Sequence, residues 1–206
     1  MCVAVVTTAC ADSARDPAAA SYDPENGRLR TLATDTNRNG TADAVSYMDG
    51  ARIQRIELDL DENGQVERWD FYAAGGQLEK VGLSRENDGL MDAQAFYGRS
   101  GALERLELST RRDGVFDRLE YYEDGILTAS TEDTDRDGRP DKWDTYRAVT
   151  TGAPGEPGYA ITATSVDLSG SGRPERRFLY GPGGTIDRVE VDPDGDGVFV
   201  AASASP

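Results

Sequence analysis

The chain contains no histidine. This removes the usual general base near neutral pH, a common zinc ligand, and every Ser-His-Asp or Cys-His nucleophile arrangement. Cysteine is almost as scarce. The two present, Cys2 and Cys10, both stand at the extreme N-terminus, so the body of the chain has neither a disulfide nor thiol chemistry. Aromatics are 8% of the sequence and hydrophobic residues 37%, lean for a domain built around a thick core. Positive charge is outnumbered, with 22 Lys and Arg against 38 Asp and Glu, for a formal net charge of −16. Phosphate contacts need clustered cations, so nucleic acid and anionic membrane surfaces are poor partners and cations are natural ones. No stretch approaches the ~20 apolar residues of a membrane-spanning helix.

Glycine is abundant, at 23 of 206 residues, and its placement is periodic. Gly40, Gly64, Gly89, Gly114, Gly138, Gly172 and Gly197 follow one another at intervals of 24 or 25, except for one interval of 34. That long interval contains residues 149–159, rich in Gly, Pro and Thr, which read as an insertion within one repeat and as an exposed loop. Eight residues after five of these glycines stands a tyrosine: Tyr72, Tyr97, Tyr122, Tyr146 or Tyr180. Further apolar residues precede the tyrosine at alternate positions, as Trp69 and Phe71 or Leu119 and Tyr121 do. Period-two alternation marks a strand with one apolar face.

A second glycine (Gly27, Gly50, Gly76, Gly101, Gly125, Gly184) punctuates each unit, and a second apolar set follows it, such as Ile53, Ile56 and Leu58 or Leu103, Leu106 and Leu108. Within each set the gaps are three and then two. The odd gap reads as a β-bulge that keeps both ends on one face. A helix also tolerates a gap of three, but the runs are too short and too rich in β-branched residues. The predicted fold is therefore all-β: an antiparallel up-and-down meander of tandem hairpin repeats, roughly 13 strands long. Open sheets seldom exceed ~10 strands without curling, so a curled or barrel-like sheet is expected over residues 22–206. Acidic loops would line one side of it and glycine turns the other.

Those loops carry the chemistry. With the aligned glycine as the sixth place, Asp133, Asp135, Asp137, Asp141 and Asp144 fill places 1, 3, 5, 9 and 12. Asp59, Asp61, Asn63, Glu67 and Asp70 repeat the pattern in full, Asp35, Asn37, Asn39 and Asp43 in part, and Asp192, Asp194 and Asp196 at its start. Calcium takes six to eight hard oxygen ligands, and alternate residues of a tight loop point inward to supply them. Three loops are eroded. One has Ser84, Glu86, Asp88 and Asp92; the next keeps Asp113 and Asp117 but has Arg111 at place 3; another has Asp167, Ser169, Ser171 and Glu175. These are expected to be turns held by hydrogen bonds alone, because Asp-Gly and Asn-Gly pairs form turns without any metal. In residues 133–144, three carboxylates within five residues repel one another by about 1 kcal/mol per screened pair, a cost that a cation reverses.

The full pattern resembles the EF-hand-type calcium loop also found in dockerins, thrombospondin type 3 repeats and integrin-like propellers. The resemblance covers only the loop. It implies calcium as the cofactor, and the strands that flank each loop here mean that no fold is carried over. The N-terminal residues 1–21 resemble the end of a bacterial lipoprotein signal and its tether, with Thr8 and Ala9 before Cys10 as the lipidated residue. The basic n-region of such a signal would lie upstream of Met1. That resemblance implies an exported protein of the cell envelope or extracellular space, in contact with membrane only through the lipid.

The expected function is a non-enzymatic, calcium-binding repeat module with a structural or adhesive role. The alternative is a sheet that binds a glycan or a protein through Trp69, Trp143 and the tyrosines, with calcium incidental. A glycosidase using paired carboxylates is the third reading, and the recurrence of the acids at loop positions weighs against it.

Overall fold

The computed structural model describes residues 19–150 and 157–202. Cys10, most of the predicted signal and tether, and the middle of the insertion lie outside the described residues. Fifteen strands follow one another without a helix among these residues: β1 (Ala20–Tyr22), β2 (Leu29–Thr34), β3 (Ala44–Asp49), β4 (Arg52–Leu58), β5 (Arg68–Tyr72), β6 (Leu78–Leu83), β7 (Ala93–Tyr97) and β8 (Leu103–Leu108) in the first half. The second half comprises β9 (Arg118–Glu123), β10 (Ile126–Glu132), β11 (Lys142–Thr150), β12 (Pro157–Val166), β13 (Arg176–Tyr180), β14 (Ile186–Val191) and β15 (Val200–Ala201). Their spatial order is their sequence order, in a single antiparallel sheet. The expected meander is present, and it is open, because β1 and β15 stand at opposite ends and do not pair. The two strands beyond the expected 13 are these terminal ones. Ala20 and Ser21, read from the sequence as tether, belong to β1. The flanks of the insertion continue the sheet, with Val149 paired with Gly158 and Ala148 with Tyr159.

The bulges fall where the three-two gaps place them. Tyr97 pairs with Leu103 and Phe96 with Arg105, which leaves Glu104 as the extra residue. Glu79 and Gln54 hold the same place in the two preceding hairpins. Each bulge puts a polar side chain where the ladder is interrupted and adds local right-handed twist.

The substantial contacts of every strand are with the strand before and the strand after it, so the sheet is one layer thick. Only Ala44, Val81, Ala93, Ala95 and Leu127 are buried apolar residues among those described. Cohesion therefore rests on cross-strand side-chain pairs, worth about 0.2–1 kcal/mol each. On one face Leu32, Ser46, Ile56, Asp70, Val81, Ala95 and Leu106 stand in register across β2 to β8. The same face turns polar over β9 to β12. Arg118 meets Glu120 at 2.9 Å, Glu132 at 3.0 Å and the Tyr146 hydroxyl at 2.8 Å, and Lys142 lies 3.3 Å from both Glu132 and Asp144.

The opposite face carries an alternating row of aromatic rings and cations. Arg55 sits 4.2 Å from the Tyr47 ring, Lys80 4.4 Å from Phe71, and Arg105 4.0 Å from Phe96. Glu57 and Glu107 balance Arg55 and Arg105 at 3.0 Å.

Candidate metal centre

Antiparallel alternation places every acidic loop along one side of the sheet. Numbered in chain order, the seven loops begin at Asp35, Asp59, Ser84, Ser109, Asp133, Asp167 and Asp192. They are joined to one another through the backbone. The amide at place 1 of each loop donates to the carbonyl at place 9 of the loop before, as Asp59 does to Asp43 at 2.9 Å and Asp133 to Asp117 at 2.8 Å.

Within a loop, the carboxylate at place 1 gathers the amides of the turn. Asp133 accepts from Arg136 at 2.7 Å, Asp137 at 3.2 Å and Gly138 at 2.9 Å. Asp35 and Asp59 do the same in loops 1 and 2, and Asp192 in loop 7. At place 5, Asn39, Asn63, Asp137 and Asp196 each accept the amide at place 7. The glycine at place 6 has positive φ throughout, 91° at Gly138, a conformation that glycine adopts without steric cost.

Place 9 closes the loop from the other side. Asp141 accepts the Thr134 amide at 3.1 Å and its hydroxyl at 2.7 Å, and Asp43 meets Thr36 at 2.9 and 2.7 Å in the same way. The Thr36 hydroxyl bond is the main reason that the Asp43 carboxyl lies below its ordinary range. At Asp192 burial pushes the carboxyl up, but the amides of Gly197 and Gly195 outweigh it and the net shift is downward.

Loop 5 then brings the carboxylates of Asp133, Asp135 and Asp141 together, each offering an oxygen within 4.8 Å of the others, and loop 7 does so with Asp192, Asp194 and Asp196. Both groups could hold a metal ion. Asp135 accepts one amide, from Asp137 at 3.1 Å, and a carboxylate offers about four acceptor sites. Capacity for a cation therefore remains after the turn is satisfied.

The remaining predicted ligands are placed differently. Asp144 lies in β11 with its carboxylate on the polar face, 2.6 Å from the Thr164 hydroxyl. Asp70 lies in β5, 2.7 Å from Arg68. Place 12 is thus a sheet position in both. In loop 2, the Asn63 backbone amide donates to Asp59 at 3.1 Å and to Asp61 at 3.2 Å, and its side-chain amide to Asp61 at 3.1 Å, while Glu67 contributes its backbone to the ladder. In loop 1, the Asn37 and Asn39 side chains donate to Glu62 of loop 2. Loops 3 and 4 replace the first carboxylate with a hydroxyl: Ser84 donates to Asp88 and Ser109 to Asp113, both at 3.0 Å.

Place 4 escaped the sequence reading. Arg38, Glu62, Asn87, Arg112 and Arg136 all have positive φ there, as do Gly170 and Gly195. The glycines in two of the seven loops, with Asn87 in a third, are the signals that pointed to it.

Neither a protein-family model nor a curated protein matches the chain. Among solved structures, that of accessory secretory protein 1, 2 and 3 of Streptococcus pneumoniae is similar with a TM-score of 0.26 and 10% identity, over 74% of this chain and 19% of that one. The TcdB2-TccC3-TEV structure gives a TM-score of 0.22 and 13% identity, over 89% of this chain and 14% of that one. The chain spans less than a fifth of either, and scores this low do not establish a shared fold.

Proposed function

We infer that the protein is a non-enzymatic repeat module whose loops bind calcium, with a structural or adhesive role on an exported protein. The observation that carries this is the Asp133, Asp135 and Asp141 group, whose oxygens converge within 4.8 Å beyond what the turn requires. All the donors are hard oxygens, which favours calcium or magnesium over transition ions. Loops this exposed fit the weak affinities of extracellular modules, on the order of 10⁻⁴–10⁻³ M, and an exported location supplies calcium at that level. The cation acts as a staple at particular turns, because the backbone ladder between loops is complete without it.

Calorimetric titration of the EDTA-treated chain with calcium tests the reading. The expected result is one or two sites per chain and a melting temperature that rises with millimolar calcium. No heat of binding and an unchanged melting curve would sink it.

A further inference from the structure

We propose that Arg85 and Arg136 are the resident cations of loops 3 and 4, filling with a guanidinium the role that a metal plays in loop 5. The inference rests on the calcium reading only for what it says of loop 5. Asp92 and Asp117, at place 9 of loops 3 and 4, are 2% and 7% exposed. Asp43, at the same place in loop 1 and equally buried, is held by Thr36 and the Asn37 amide alone; in loops 3 and 4 an arginine adds a paired charge that offsets the cost of burying the carboxylate.

In loop 3 the charge comes from within: the Arg85 Nε lies 3.1 Å from the Asp92 Oδ1, and its Nη2 donates to the Ser109 carbonyl at 2.5 Å. In loop 4 it comes from the next loop. Arg136 Nη1 lies 2.5 Å from the Asp113 Oδ2 and Nη2 lies 2.8 Å from the Asp117 Oδ2. A planar guanidinium spans two carboxylates as a compact ammonium does not. Arg136 does this from a left-handed backbone, φ 65°, where glycine would be the unstrained residue. Thr110 meets Asp117 as Thr134 meets Asp141, so the difference is the arginine: among the described residues no Arg or Lys pairs with Asp133, Asp135 or Asp141, and place 4 of the following loop is Gly170.

Arg136→Gly in the full chain is the test, with Arg136→Lys beside it. Glycine is already the residue at place 4 in loops 6 and 7, so the backbone is not strained by the change. Because Arg111 at place 3 of loop 4 would itself repel a cation, the variants carry Arg111→Ser as a common background; calorimetric titration is expected to show one more calcium per chain when Arg136→Gly is added to that background, and no such gain when Asp117→Asn is added as well. Arg136→Lys should show a weaker gain or none. If Arg136→Gly takes up no more calcium than the Arg111→Ser background, the proposal is overturned. An Arg111→Ser background that binds no calcium while Arg136→Gly binds one would overturn the reading of loop 5 and leave this proposal standing.

Discussion

The Thr164 hydroxyl donates to the Asp144 carboxylate across the β11–β12 pair at 2.6 Å, with the Asp144 side chain 2% exposed. This relationship separates a sheet acid from a loop acid. Asp144→Ala leaves Lys142 and Thr164 without their shared partner, a loss of about 2–3 kcal/mol. It should lower the melting temperature and leave the calcium stoichiometry unchanged. Asp135→Asn should do the reverse, with little change in the calcium-free melting temperature and the loss of one site. Titration and melting of both variants check the pair.

Stability should be flat between about pH 5 and 8, where no histidine titrates, and should fall in acid. Asp113 is held low chiefly by Arg136, Asp43 by Thr36 and Asp88 by the Leu90 amide. At Asp117 burial acts upward, but bonds from Thr110 and Arg136 outweigh it. Folded-state values below the unfolded one, ~3.9, mean stability that is present above that pH and lost as pH falls through the folded values. Denaturant midpoints measured from pH 2 to 9 check it. A midpoint that rises on acidification contradicts this assignment.

Deleting one residue from β8 should have opposite outcomes at two neighbouring places. Without the bulge residue Glu104, Leu103 and Leu106 remain on one face of a regular strand, so the deletion should be tolerated with only a small fall in the denaturation midpoint. Without Glu107, Leu106 and Leu108 become adjacent and point to opposite faces. That chain should be grossly destabilised, which far-UV circular dichroism and chemical denaturation would register.

At place 4 of loop 2, Glu62 has φ 59°. Its exposed bonds to Asn37 and Asn39 contribute less than the backbone strain costs, so Glu62→Gly should stabilise by about 0.5–1 kcal/mol. Glu62→Val should destabilise by more than that, since a β-branched residue resists this conformation. Thermal melts of the two variants decide the order.

Much of the fold was legible because its signals are spaced along the chain. The gap of three and then two in Leu103, Leu106 and Leu108 located the bulge between Leu103 and Leu106, and the aligned glycines located every loop. Two features were hidden for physical reasons. The left-handed place 4 is filled in four of the seven loops by Arg or Glu, whose side chains give no conformational signal. The role of Asp144 depends on its registry with Thr164, twenty residues away, which the loop pattern does not encode. Whether the curled sheet closes into a barrel was left undecided by the sequence, because strand twist, and not composition, decides it. In the candidate site, places 1 and 3 were legible from the acids themselves, whereas the pairing of Asp117 with Arg136 links two separate loops.

The strictly consecutive pairing of the strands also governs how the chain acquires its structure. Each hairpin closes over a short stretch of sequence, so the loop-closure entropy of any step is small, and no strand waits for a distant partner. Contact order is therefore low for an all-β protein, and folding should be quicker than sandwich or barrel topologies allow. With energetics close to one-dimensional, ordering can start at any hairpin and spread in both directions, and a whole unit can be added or removed without rebuilding its neighbours.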